Sequence, residues 1–261
     1  MQLSPELGKD VYAKKYQANI ELHAQWLNFG AHEKANSIQQ LLIKHAIKPR
    51  NMLELGCGTG AVLEECQQRG LADNLYGVDY SEDAIGYLKI RVPGVTAFAA
   101  DILNDDLHLD DEFDVVVLSH VLEHLEEPEV LLKSLTTKLR FKYLIAEVPL
   151  EDLALLKVRS KLWGRPGIQA GHVQFYTQPT FESLLRTSGY NIIDRRQYLP
   201  IPSRQALEIV RVLNQESRAI FYRRLIGRYL KILVRPIMQR LYYAHHACLC
   251  VQAQHFVDSP A

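Results

Sequence analysis

The segment Asn51-Met-Leu-Glu-Leu-Gly-Cys-Gly-Thr-Gly60 most narrows what this chain can fold into. It reads as a buried strand carrying a carboxylate at Glu54, then a turn with alternate glycines, then the start of an apolar-periodic helix. Gly56, Gly58 and Gly60 remove the β-carbon where the backbone must bend and let a ligand lie against it. That geometry suits a ligand with an adenosine on one side and a charged tail on the other.

The glycines alone leave two ligand classes open, because Gly56-x-Gly58-x-x-Ala61 also fits the dinucleotide fingerprint of NAD enzymes. The acidic positions that follow narrow the choice. Leu75-Tyr-Gly-Val-Asp79 reads as a second strand, and its terminal carboxylate lies about 20 residues on, where ribose hydroxyls can be gripped. Val95 to Asp101 reads as a third strand followed by Ile102, and Phe113 to His120 as a fourth. Each ends in a polar residue at the carboxyl edge, where open α/β sheets bind ligands. The plainer reading makes each acid a helix cap or a solvated turn residue. That suffices for one Asp but strains over four ordered positions.

Glu54-x-Gly56-x-Gly58-x-Gly60, with Asp79 and the Asp101-Ile102 pair, resembles the class I S-adenosylmethionine-dependent methyltransferases. The resemblance covers roughly residues 11–200 and the last strand. It implies an α/β fold, a Rossmann-like seven-stranded, mostly parallel sheet with helices on both faces and an antiparallel last strand near the edge. It also implies S-adenosylmethionine as cofactor, lined by Glu54, Gly56, Gly58, Asp79, Tyr80, Asp101, Ile102 and Ser119. Asp101 would take the exocyclic amine of the adenine and Ile102 its ring. In that family an N-terminal helix covers the cofactor with an aromatic. Tyr16 is the candidate here, with an ordinary core role equally open.

Organisation follows from pattern and punctuation. Residues 1–50 are expected to form a helical cap, with apolar stripes through Tyr16, Ile20, Trp26, Ile38 and Leu41 and a stop at Pro49. Residues 51–202 form the cofactor-binding core. Ser81 caps a helix from Glu82, Pro128 opens another, and Tyr143–Val148 is a strand ending at Pro149. Within the core, residues 151–174 are an insertion where a substrate lid would lie. Residues 203–244 form a basic helical insertion, and residues 245–261 supply the final strand, with Ala247–Gln254 as its apolar run, and a tail.

The 261 residues carry no net charge, but from Ser203 onward nine Lys/Arg face only three Asp/Glu. The four cysteines have no framework spacing, which points to reduced thiols in a cytoplasmic protein. No basic-then-apolar leader opens the chain, and no apolar run is long enough to span a bilayer.

Ser119-His-Val-Leu-Glu-His-Leu-Glu-Glu-Pro128 carries the chemistry after the fourth strand. If helical, His120, Glu123 and His124 share one face. Taken literally, His120-x-x-Glu123-His124 is an inverted zinc-peptidase motif, but the context of a sheet strand in a cofactor-binding core argues against a peptidase. The region also resembles the ubiquinone-type O-methylating group and the small-RNA 3′-end group, which carry Glu-x-x-Glu-His and a later His able to hold a divalent metal. Here His120 replaces the first Glu, and His172 could supply the later His. Metal-free small-molecule methyltransferases share the pattern as well, so no residue is assigned as a metal ligand. His120, His124 and His172 are instead the expected catalytic groups, since a hydroxyl acceptor needs a base near neutrality. His172, Phe175 and Tyr176 are candidates for substrate contact beside a capping role for Thr177 or Thr180.

The reading is therefore methyl transfer to oxygen, ahead of nitrogen, of a small organic acceptor. A small-RNA 2′-O-methyltransferase with a metal site and a non-catalytic scaffold that keeps the fold are the alternatives. Arginines mixed with bulky apolar residues over 218–242 suggest packing on the domain, docking on an anionic membrane surface, or, behind these, RNA binding. The oligomeric state is left open.

Overall fold

The computed structural model describes residues 8–104, 109, 112–151, 153–154, 157–158, 171–213, 215–241 and 243–253. Most of the expected lid, including Trp163–Gly167, lies outside the described residues, as does Tyr242.

Seven strands make one sheet: β1 (Asn51–Leu55), β2 (Asn74–Asp79), β3 (Thr96–Ala99), β4 (Glu112–Ser119), β5 (Arg140–Leu150), β6 (Tyr190–Tyr198) and β7 (Ala244–Gln252). Their order is β3-β2-β1-β4-β5-β7-β6, with β7 antiparallel to both neighbours and the other pairings parallel. The chain reverses strand order between β1 and β4, and such a switch point opens a crevice at the carboxyl ends.

Eight α-helices are described: α1 (Gly8–Lys44), α2 (Ala61–Gln68), α3 (Glu82–Arg91), α4 (Pro128–Lys138), α5 (Gln178–Thr187), α6 (Arg204–Leu213), α7 (Arg218–Leu233) and α8 (Arg235–Leu241). The sheet buries both faces, so β4 reads as a continuous apolar run rather than an alternation. Val116 and Leu118 face one core, closed by Leu131, Leu132 and Leu135 of α4 and Phe181 and Leu185 of α5. Val115 and Val117 face the other, closed by Ile38, Leu41 and Leu42 of α1, Leu63 of α2 and Leu88 of α3. Replacing fully buried Phe113 by Ala would cost about 3–5 kcal/mol on the usual scale for core aromatics.

Some boundaries differ from the sequence reading. The cap is one long helix interrupted at Asn19, whose backbone leaves helical geometry while its Oδ1 accepts from Leu22 N–H and restarts the helix. β5 does not end at Pro149 but runs on to Leu150. Pairing with β4 stops at Glu147; beyond it β5 stays bonded to β7 and Leu150 bridges to Tyr176, and proline is tolerated once the β4 ladder has ended. β6 continues to Tyr198 through a bulge between Ile192 and Asp194, and β7 begins at Ala244. In the basic segment α6 packs on α1 and α7, burying Ala206, Leu207 and Phe221. All four cysteines are buried and free. No helix among the described residues is long and apolar enough to cross a membrane.

Candidate active site

A cavity of about 980 Å³, counting its open mouth, lies at the carboxyl ends of β1, β2 and β4, under α1. Glu54, Gly56, Gly58, Asp79, Tyr80, Asp101, Ile102 and Ser119 all line it.

The turn after β1 needs its glycines. Gly56 has φ +73°, and a β-carbon there would stand 2.5 Å from Val121 Cγ2. Gly58 has φ +51°, and its β-carbon would meet the Tyr16 hydroxyl at 2.8 Å. Asp79 braces this turn: Oδ2 accepts from Gly58 N–H at 2.8 Å and Oδ1 from Ser81 N–H at 3.0 Å. An ionised carboxylate has about four acceptor sites, so one group can brace a turn and meet a ligand hydroxyl at once. Asp101 accepts from Leu103 N–H and Asn104 Nδ2 and also lines the cavity. The capping role and the lining role coexist in these two acids.

Glu54 is buried, and its Oε2 has no hydrogen-bond partner. Burial pushes its carboxyl well up, against the pull of the Lys34 ammonium and with the push of Asp79. Burial likewise pushes Lys34 down, opposed by Glu147, Glu123 and Glu54. The Ser119 hydroxyl is a second buried group without a partner. α1 supplies the roof with Tyr12 and Tyr16, whose rings lie 6.1 Å apart, and burial raises both phenols.

The expected shared helical face after β4 does not exist. His120 sits at φ +60°, closing the β4–β5 ladder through its N–H to Glu147 O, and only Leu122–His124 form a single 3-10 turn. The three side chains consequently diverge. His120 turns toward β5 and β7, where its Nε2 lies 3.2 Å from His245 Nδ1 and 3.4 Å from Glu147 Oε1. His124 turns toward α1 and the segment before α5, stacking edge-on to Tyr12 and to His172 with ring centroids 5.3 and 4.8 Å away. Glu123 is fully buried between them, with Oε1 3.2 Å from His120 Nδ1 and neither oxygen in a well-aligned hydrogen bond.

His120 and His124 line the cavity, whereas His172 stands behind His124 and outside the lining. A carbonyl can only accept, so the 3.0 Å contact from His124 Nδ1 to Gly171 O places the proton on Nδ1 and leaves Nε2 basic. Burial pushes His124 below the usual histidine range, so the ring is neutral near pH 7. His172 Nδ1 donates to Glu151 Oε2 at 2.8 Å. Val173 and Gln174 N–H both donate to Glu123 O, which pins this segment to the 3-10 turn. Tyr176 is not a wall of the cavity: it is buried in the core and its hydroxyl donates to Leu122 O. Thr177 is the cap of α5, in a reciprocal pair with Thr180.

Sequence reasoning missed Lys34, Tyr12, Glu147, Tyr198 and His245. A signal existed for Lys34, a lysine set among Ala31, Ala35 and Ile38 on the buried stripe of α1. Glu147 was visible as an acid within an apolar strand.

The sequence profile described as a methyltransferase domain matches residues 26–195. The chain belongs to the class I S-adenosylmethionine-dependent methyltransferases, and S-adenosylmethionine is the cofactor of that family. A stretch of 86 residues is 31% identical to malonyl-acyl-carrier-protein O-methyltransferase of Bacillus cereus, covering 32% of this chain and 31% of that one. The chain thus matches under a third of the length of that curated relative. Among solved structures, magnesium protoporphyrin IX methyltransferase from Synechocystis PCC 6803 with bound SAH superposes with TM-score 0.54 at 18% identity, over 85% of this chain and 84% of that one. The [4+2]-cyclase SpnF superposes with TM-score 0.53 at 16% identity, over 77% and 75%. At these identities the likeness establishes the fold alone.

Proposed function

We propose that the protein transfers a methyl group from S-adenosylmethionine to an oxygen of a small organic acceptor, with His124 as the general base. The observation that carries this reading is a neutral imidazole on the cavity wall whose Nδ1–H is fixed by Gly171 O and whose Nε2 is left basic. The O-methyltransferase activity of the Bacillus cereus relative supports oxygen over nitrogen as acceptor atom.

The cavity fits the cofactor. Glu54 Oε2 and Ser119 Oγ are buried polar atoms awaiting a partner, and the glycine turn leaves space that a β-carbon would fill. Glu54, Gly56, Gly58 and Ser119 would hold the amino-acid end. Asp79 and Tyr80 would hold the ribose, and Asp101 with Ile102 the adenine. The bound sulfonium supplies an already activated methyl group, so no general acid is needed for the leaving thioether. The chain's remaining tasks are to orient the acceptor, exclude water and take one proton. Tyr12 and Tyr16 roof the cavity as neutral phenols, which limits water entry without adding charge. His124 Nε2 takes the acceptor proton, and the resulting imidazolium is stabilised by buried Glu123. His172, held by Glu151, packs edge-on to His124 and fixes its orientation.

The acceptor would reach this site from an anionic lipid surface. Tyr222, Ile226, Tyr229, Leu230, Leu233 and Ile237 are exposed at spacings that put them on one face of α7 and its continuation into α8. Exposed Arg218 and Arg223 flank that face, whereas Arg224, Arg228, Lys231 and Arg235 follow the same spacing on the opposite one, where Arg224 pairs with Glu216 and Arg228 donates to Pro202 O. Exposed aliphatic surface of this kind favours lipid over RNA phosphates, which would leave it in water.

Two measurements test the reading. Transfer of tritiated methyl to hydroxylated or carboxylated small molecules, with none to amines, is the expected specificity; exclusive N-methylation would overturn it. Flotation with phosphatidylglycerol vesicles and not with phosphatidylcholine vesicles tests the surface, and equal behaviour on both would remove it.

A further inference from the structure

We propose that His120, Glu147 and His245 form a binding site for one divalent cation of the zinc class. The three donor atoms make a nearly regular triangle. His120 Nε2 to His245 Nδ1 is 3.2 Å, and each lies 3.4 Å from Glu147 Oε1. Ligand atoms held about 2.0–2.1 Å from one tetrahedral Zn²⁺ are about 3.3 Å apart, so this triangle is one face of such a site. Two imidazoles and one carboxylate are also a donor set that zinc takes in catalytic centres, with the fourth position open.

Each ligand comes from a different part of the sheet: the end of β4, the end of β5 and the start of β7. The sheet therefore fixes the triangle. His120 is in addition one of three described residues other than glycine at positive φ, and that backbone aims its ring at β7.

The atoms pointing away from the triangle have partners of the kind that orient metal ligands. His120 Nδ1 faces Glu123 Oε1 at 3.2 Å. His245 Nε2 is 3.4 Å from the Tyr243 hydroxyl. Tyr198 instead touches the triangle itself, donating to Glu147 Oε1 at 2.7 Å and lying 3.0 Å from His245 Nδ1, so its hydroxyl stands beside the open fourth position. His120 lines the cavity, so a cation here would present its open position to the acceptor side.

Glu182, His246 and Cys248 provide the contrast, since their donor atoms also converge. There Arg186 and Arg195 already neutralise the carboxylate, at 2.7 and 2.8 Å, and leave a cation no place. Among the described residues no arginine pairs with the carboxylate of Glu147. Its neighbours in the triangle are the two imidazoles and a phenol. Without a cation, two imidazole nitrogens and a carboxylate oxygen must share protons inside one triangle.

The triangle shares His120 with the four positions that resemble those of metal-holding relatives, but takes its other two ligands from β5 and β7 in place of Glu123, His124 and His172. Its test reads metal and not methyl transfer, so its failure leaves the proposed reaction standing, and the converse holds.

Full-length protein stripped with a chelator should bind one equivalent of Zn²⁺ by elemental analysis. Co²⁺ should give the intense visible absorption of a four-coordinate site. His245→Gln and Glu147→Gln should each weaken Zn²⁺ at least 100-fold, and Tyr198→Phe about 10- to 100-fold. His172→Ala should leave stoichiometry and Co²⁺ spectrum unchanged. Circular dichroism reports whether each variant folds. If the ligand variants do not fold, X-ray absorption of the Zn²⁺-loaded unsubstituted protein should count two imidazoles and one carboxylate. Absence of stoichiometric binding, or binding that survives His245→Gln and is lost in His172→Ala, would overturn the proposal.

Discussion

Glu182 on α5 and Glu123 in the turn after β4 are both buried carboxylates within reach of histidine, and their surroundings could hardly differ more. Glu182 Oε1 accepts from Arg195 Nε and Gln178 Nε2, and its Oε2 from Arg186 and Arg195 Nη2, at 2.7–2.9 Å. Arg195 above all holds its carboxyl down to about 2. Glu123 makes no well-aligned hydrogen bond. Burial pushes its carboxyl up, but the nearness of His120, and then of His124 and His172 once these are protonated, outweighs this and holds it down to about 2. The first acid is saturated by fixed cations and serves the fold. The second depends on groups that can lose or gain protons at the wall of a cavity. A buried carboxylate left without aligned donors beside a cavity is one to which a ligand or a water can still donate.

The largest expected effect follows directly. His124→Gln keeps the shape of the ring site but removes the base. It should lower kcat about 10²- to 10⁴-fold with the S-adenosylmethionine Kd unchanged. Glu182→Gln should leave both quantities within about twofold. Equal losses in the two variants, measured by initial rates and calorimetry, would erase the distinction between the regions.

Next comes the glycine turn. Gly56→Ala sets a β-carbon against Val121 at a positive φ, so the turn must shift. A rise in the cofactor Kd of about 100-fold, near 2.7 kcal/mol, is expected, with little change in Tm. A normal Kd would show that the cofactor does not lie on this turn. Asp79→Ala should act in the same direction and less, raising the Kd at least tenfold, about 1.4 kcal/mol. Part of that loss comes through the turn, because Asp79 also holds Gly58 N–H.

The difference between the regions also explains what could be read from sequence. The part of the cavity proposed for the cofactor is written locally: strand, glycines, acid and helix follow one another, and Glu54, Gly56 and Gly58 are neighbours in sequence as in space. The seven-stranded sheet was legible for the same reason, since each βα unit carries its own periodicity and caps. The part proposed for the acceptor is assembled from distant pieces. His245 meets His120 only because β7 inserts beside β5, and no spacing in the chain announces that. The shared helical face of His120, Glu123 and His124 failed because the left-handed backbone at His120 broke the helix, a feature that residue identity does not encode. Lys34 was legible in principle, as a charge set in an apolar stripe.

The smallest effect belongs to the saturated side and is read in stability. Glu182 has a carboxyl held down to about 2 in the folded chain, against about 4.3 in an unfolded one. A depressed folded value contributes stability that is fully present above the unfolded value and is lost as pH falls through the folded one. Arg186 and Arg195 are 50% and 41% exposed, so solvent screens part of the attraction and about 1–2 kcal/mol is a fair expectation. In urea unfolding at pH 7, Glu182→Gln should be less stable than the unsubstituted protein by that amount. The gap should narrow from about pH 4 downward and close near pH 2, as protonation converts the native carboxylate into a group like the amide. A gap that stays constant with pH would mean that Glu182 acts through packing and not through its charge. The contrast with Glu123 would then rest on hydrogen-bond geometry alone.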